Sequence, residues 1–174
     1  MEFQTDQEAR IIDCYANCAL LLQRAVQELK EDELDLAEND ESWTIREYIH
    51  HMVDGDDIWK VFIKRALGNS QGAFLLDWYW QMSQMDWGRE WHYAQREIEP
   101  SVALFSASRA HVAQLLHSTN GALDKHLVMG LPDGNEQLVS IREIVEMQTS
   151  HIEGHIADIH RILATHHSQV AQQE

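Results

Sequence analysis

Eleven histidines occur in 174 residues, and two of them have a spacing that can do chemistry together. His151 and His155 stand in Ser150-His151-Ile152-Glu153-Gly154-His155. Four residues apart on a helix places two side chains on one face, about 40° apart, so both imidazoles can aim at one ion. This is not the zincin pattern, which needs a glutamate general base directly after the first histidine. Ile152 holds that place, and Glu153 points roughly 200° away around the helix. A third ligand must therefore come from another helix.

Tyr48-Ile49-His50-His51-Met52-Val53-Asp54 offers it. The apolar stripe of that helix is Ile45, Tyr48, Ile49, Met52, Trp59, Ile63 and Ala66. His51 lies roughly 100° from the stripe's centre, at the core's edge, and His50 roughly 160° away, on the solvent side. In the last helix the stripe is Ile141, Ile144, Val145, Ile152, Ile156, Ile159 and Leu163. His155 is about 50° from its centre and His151 about 90°, on the same side, while His160 falls on the opposite flank. The candidate metal ligands are thus His51, His151 and His155. Three neutral imidazoles leave coordination positions open, the pattern of a catalytic rather than a structural site. Imidazole suits zinc or nickel first, with iron, manganese or copper as alternatives. Asp54, one turn after His51, and Asp158, three residues after His155, are candidate carboxylates to orient an imidazole. A di-iron bundle would need Glu-x-x-His on two helices; Glu47 to His50 supplies it once.

The elements that must position these residues read as helices. Apolar residues recur at three and four, and only two prolines occur, Pro100 and Pro132. A first helix is predicted at about 7–30 with Ile11, Ile12, Tyr15, Cys18, Ala19, Leu22 and Val26 inward, and a second at about 45–67. A third is predicted at about 100–119 and a last at about 141–165. Thr44-Ile45-Arg46-Glu47 and Ser140-Ile141-Arg142-Glu143 are capping boxes that open the second and last helices. No convincing strand stands out. The stretch to Asn135 reads as a loop turning at Leu131-Pro132-Asp133-Gly134. The expected fold is all-α, an up-down-type four-helix bundle in one domain over 1–174, with an irregular aromatic-rich connection between helices two and three. A flexible tail is expected from about residue 166. Cys14 and Cys18, four apart, share one side of the first helix, where buried packing is the expected role.

A formal charge of -16 repels phosphate backbones and anionic membranes, so neither nucleic acid nor membrane is an expected partner. No run of about 18 apolar residues suggests a span, and the acidic start lacks the features of a secretory signal. The expected location is cytoplasmic. Residues 77–93 hold four tryptophans and two tyrosines. They read as a satellite cluster packed on the bundle, or as a pocket wall in which Trp87, Arg89, Trp91 and Arg96 meet an anionic substrate group.

Trp43-Thr44-Ile45-Arg46-Glu47, then His51-Met52-Val53-Asp54, resembles the second-helix segment of the DinB/YfiT-like superfamily. The late pair His151 and His155, followed by Ile159 and Arg161-Ile162, is similar to its last helix. This DinB family is not the DNA polymerase of that name. The resemblance implies a four-helix bundle, often a homodimer, with a divalent metal held by His51, His151 and His155. Some relatives are thiol transferases using bacillithiol or mycothiol, and one branch isomerises maleylpyruvate. The activity expected on that ground is a thiol-dependent S-transferase acting on a small molecule, with a low-molecular-weight thiol as partner. A metal-dependent hydrolase is the alternative, and a non-catalytic dimeric binding module with structural histidines is a third. A bound ion would act as a Lewis acid on a thiol or a water.

Overall fold

The structure, a computed structural model, describes residues 6–172. Four long helices carry it: α1 (Asp6–Val26), α2 (Ile45–Gly68), α5 (Ile98–His117) and α6 (Ile141–Ala171). Two short ones, α3 (Asp77–Trp80) and α4 (Gln84–Glu90), lie in the connection between α2 and α5. Both predicted capping boxes are formed. Thr44 accepts from the Glu47 amide and Ser140 from the Glu143 amide, and each glutamate reaches back to its cap residue. Two of the orphan amides at each helix start are thereby satisfied, which fixes the phase of the two helices that carry the histidines.

α1 packs along α5 and α6, and α2 packs along the same two helices. The order around the bundle is therefore α1, α5, α2, α6, with the consecutive helices α1 and α2 across a diagonal. This places α2 and α6, the two histidine helices, side by side. Local periodicity says which face of a helix is buried but not which neighbour buries it.

The core divides into two apolar clusters. One gathers Ile12, Tyr15, Phe62, Ile63, Val112, Leu116 and Val145; the other gathers Cys18, Leu22, Ile49, Met52, Phe105, Ile152 and Ile159. The sequence positions between them on α2, α5 and α6 carry a polar layer: Asp56, Ser108, Arg109 and Gln148, all buried. Arg109 has no exposed surface. It pairs with Asp56 at 2.8 Å, donates to the Tyr15 carbonyl at 3.0 Å, and stacks over the rings of Tyr15 and Phe105. A buried charge is tolerated only with such compensation.

Four local expectations are corrected. The stretch read as a loop contains an antiparallel hairpin, β1 (His126–Gly130) and β2 (Glu136–Ser140), with Leu127 opposite Val139. Phe74 bridges it on the other side, its amide donating to Val128 and its carbonyl accepting from Gly130. Strands this short carry too few alternations to register as a pattern; the turn at 131–134 is where it was predicted, with Gly134 at positive φ. Residues 166–171 of the expected tail continue α6, because no glycine or proline stops it; residues 173–174 lie outside the described residues. The first helix ends at Val26 rather than near Lys30. Cys18 is buried but Cys14 is exposed, since the 40° offset between them straddles the edge of the buried stripe. No helix among the described residues is long and apolar enough to cross a membrane.

Candidate functional site

His51 on α2 and His151 and His155 on α6 come together through their Nε2 atoms. The His51–His151 separation is 3.1 Å and the His151–His155 separation 3.0 Å, and the three ligand atoms lie within 4.8 Å of one another. Two zinc–imidazole bonds of about 2.0–2.1 Å at a tetrahedral angle place their nitrogens about 3.3 Å apart, so the spacing suits a single ion. His51 is buried, and the other two are half-buried.

Burial also sets their protonation. Desolvation pushes His51 down to about 3, helped by the neighbouring His151 and His155. It pushes His151 down to about 4, with His155 and Arg109 adding to the effect. His155 is lowered by desolvation too, while Asp158 opposes the shift. At neutral pH the imidazoles are neutral and their lone pairs are free to bind metal. Asp158 Oδ2 lies 3.3 Å from His155 Nδ1, and its Oδ1 accepts from Arg161 at 2.9 Å. With the Nδ1 proton held there, Nε2 presents a lone pair. His151 Nδ1 is buried and has no hydrogen-bond partner.

Asp54 does not orient an imidazole in this way. It accepts from Arg96 at 2.9 Å, because its direction on α2 faces the connection rather than α6. His50, expected on the solvent side, is fully buried. Its Nδ1 lies 2.9 Å from Ser101 Oγ and its Nε2 3.1 Å from the Arg96 carbonyl. The reason is tertiary: the segment after α4 folds over the outer face of α2, setting the Tyr93 ring 5.6 Å from His50. Arg46 clamps the same segment, donating to the Arg96 carbonyl while pairing with Glu31 and Asp35. His92 and His160 are exposed.

The aromatic connection packs as a ladder. Tyr79 stacks on Trp87, Trp87 contacts Trp91, and Trp91 contacts Tyr93. Trp87 also donates its indole N–H to the Tyr79 carbonyl at 2.7 Å. Arg89 is exposed and paired with Asp86 on its own helix. Of the four residues considered for a pocket wall, Trp91 lines a cavity of about 500 Å³ on the flank of α2, together with Asp54.

Sequence reasoning missed two aromatic neighbours. Trp43 lies over His51 with ring centroids 4.2 Å apart, and Tyr48 lies 5.0 Å from His155. Trp43 precedes the capping residue Thr44, where an apolar side chain folds back on the first turn of the helix. That signal was present in the sequence. Gln148, one turn before His151, is buried with its Oε1 unpartnered; the sequence offered no sign of it.

Comparison with known proteins identifies a family and a shared fold. The profile of the DinB superfamily matches residues 18–159. A protein of Geobacillus thermodenitrificans (strain NG80-2), described as "Putative metal-dependent hydrolase", is 24% identical over 138 residues, covering 79% of this chain and 74% of that protein. The solved structure of YfiT from Bacillus subtilis superposes with a TM-score of 0.77 at 19% identity, covering 92% of this chain and 88% of that one. It is described as a probable metal-dependent hydrolase with an unusual four-helix bundle topology.

Proposed function

The chain belongs to the DinB superfamily, and from that premise we propose that it is a divalent-metal-dependent hydrolase of small molecules. His51, His151 and His155 are the ligands in this reading. The observation that carries it is the convergence of three imidazole nitrogens within 4.8 Å of one another, with His151 Nε2 3.0–3.1 Å from the other two, in surroundings that keep them unprotonated. The descriptions of the Geobacillus protein and of YfiT support hydrolysis over the S-transfer suggested by the resemblance.

The chain's own residues prepare the site. Asp158 selects the tautomer of His155 and is itself fixed by Arg161. Trp43 limits rotation of the His51 ring by lying against its face. Burial excludes protons from His51 and His151. Three neutral donors satisfy only part of a divalent ion's coordination, which leaves room for water and substrate. A bound ion would supply Lewis acidity, polarising the substrate's electrophilic centre and lowering the pKa of water.

The test is elemental mass spectrometry of untagged protein beside the single variants His51→Ala, His151→Ala and His155→Ala. The expected result is about one divalent ion per chain in the wild type and none in the variants. Loaded protein should hydrolyse an activated ester such as p-nitrophenyl acetate, and the variants should not. Turnover that requires an added thiol and an electrophile would replace hydrolysis with transfer. A wild type that takes up no zinc or nickel would leave the histidines structural.

A further inference from the structure

The cavity on the flank of α2 includes none of the three histidines in its lining, and the lining residue nearest to them along the chain is Asp54. Asp54, at its near end, is one helical turn from His51, about 5 Å along the axis. The cavity then runs outward along α2 past Asp57, Ile58 and Val61 and is walled by Leu75, Trp78 and Trp91. Its volume of about 500 Å³ lies within the range of small-molecule sites, and its walls are mainly apolar. Leu75, Trp78 and Val61 are about half exposed, which leaves an apolar surface for a ligand to cover.

The polar groups in that lining share one sign. Asp54 and Asp57 line the cavity, while their cationic partners, Arg96 and Lys60, do not. Each of those ion pairs is recorded at one carboxylate oxygen, Asp54 Oδ2 and Asp57 Oδ1. A cation entering the cavity meets carboxylate oxygens with lone pairs beyond those used by their ion pairs, whereas an anion meets no cation in the lining. The strongly negative charge of the whole chain acts in the same direction.

We propose that this cavity binds the non-reacting part of the substrate, and that this part is an apolar, preferably aromatic, body bearing a protonated amine. The description of the bound molecule as substrate rests on the hydrolase reading; the binding itself does not. Trp78 and Trp91 supply ring faces for the aromatic body and for a cation. The anionic group that Arg89 and Arg96 suggested in the sequence finds no free cation here, because both are engaged by carboxylates.

The experiment titrates the full-length protein as purified with 1-naphthylmethylamine, a cation at pH 7, and with 1-naphthoate, its anionic counterpart, by calorimetry. The amine should bind at least about fivefold more tightly. Asp57→Asn should weaken the amine severalfold and should not weaken the naphthoate. Val61→Trp fills the cavity from a half-exposed position that folding tolerates, and should abolish amine binding. Equal affinities for the two probes, or amine binding untouched by Val61→Trp, would overturn the proposal. The same titration on His151→Ala separates the two readings. Amine binding that persists there supports the cavity proposal whatever the metal content. Amine binding that vanishes with the histidine, while circular dichroism shows the helices intact, would overturn a cavity distinct from the metal centre.

Discussion

His50 and His51 are neighbours in sequence with different tasks. A turn of 100° separates their side chains, so His51 meets α6 and His50 meets the chain that crosses behind α2. His50 is neutral by burial, with desolvation lowering its pKa against the opposing bond to the Arg96 carbonyl. With Nε2–H donating to that carbonyl, Nδ1 accepts from Ser101. Replacing His50 with alanine should therefore leave metal content unchanged. It should also lower stability by about 2 kcal/mol, because two buried polar groups lose a partner. Urea unfolding beside elemental analysis checks both halves. A variant that loses its metal would place His50 in the site after all.

At the scale of elements, the connection between α2 and α5 is structural first. Its aromatic ladder covers α2, and Gly88 on α4 packs closely against Tyr93 and Trp43. A Cβ there would stand 3.0 Å from the Tyr93 ring and 3.5 Å from Trp43 Nε1. Tyr93 lies beside His50 and Trp43 over His51, so pressure at Gly88 reaches both histidines. Gly88→Ala should cost about 1 kcal/mol through overpacking and weaken metal binding, although position 88 is far from any ligand in sequence. Thermal unfolding and a competition titration with a chromophoric chelator would show it. A fully wild-type melting curve would mean that α4 yields without resistance.

For the whole molecule, the polar layer between the two apolar clusters makes stability sensitive to single substitutions, because it holds a buried ion pair. Removing one member of the Asp56–Arg109 pair strands a charge with no exposed surface. Arg109→Met should destabilise by about 3–5 kcal/mol, and adding Asp56→Leu should restore much of that loss. A double-mutant cycle measures the difference, and additive losses would show that the two residues act separately. The buried histidines add a pH dependence. His50, His51, His151 and His155 all resist protonation in the folded chain, while the unfolded chain takes up protons near pH 6.5. Stability is then complete above that pH and falls as the pH drops below it, because the unfolded state binds more protons. His51 alone, lowered to about 3, should cost about 2 kcal/mol by pH 5. The urea midpoint of metal-stripped protein should hold steady from pH 8 to 7 and decline from 6.5 to 5. A flat profile would contradict buried neutral histidines.

Helix existence, two helix starts and the three converging histidines were legible in the sequence. Those features depend on spacing along a single helix, where 3.6 residues per turn converts sequence directly into direction. The capping boxes mattered most, because they fixed the phase of both histidine helices before any contact was known. Three things required the tertiary structure. The bundle's ring order decided that α2 lies beside α6, and periodicity is blind to the choice of neighbour. The crossing segment decided that His50 is buried, since a helix facing outward from the core can still be covered by chain some 45 residues away. The hairpin and the cavity against α2 arose from short segments whose own patterns are weak and whose partners are remote. Direction around a helix is a local property of the chain, whereas what lies in that direction is set by packing.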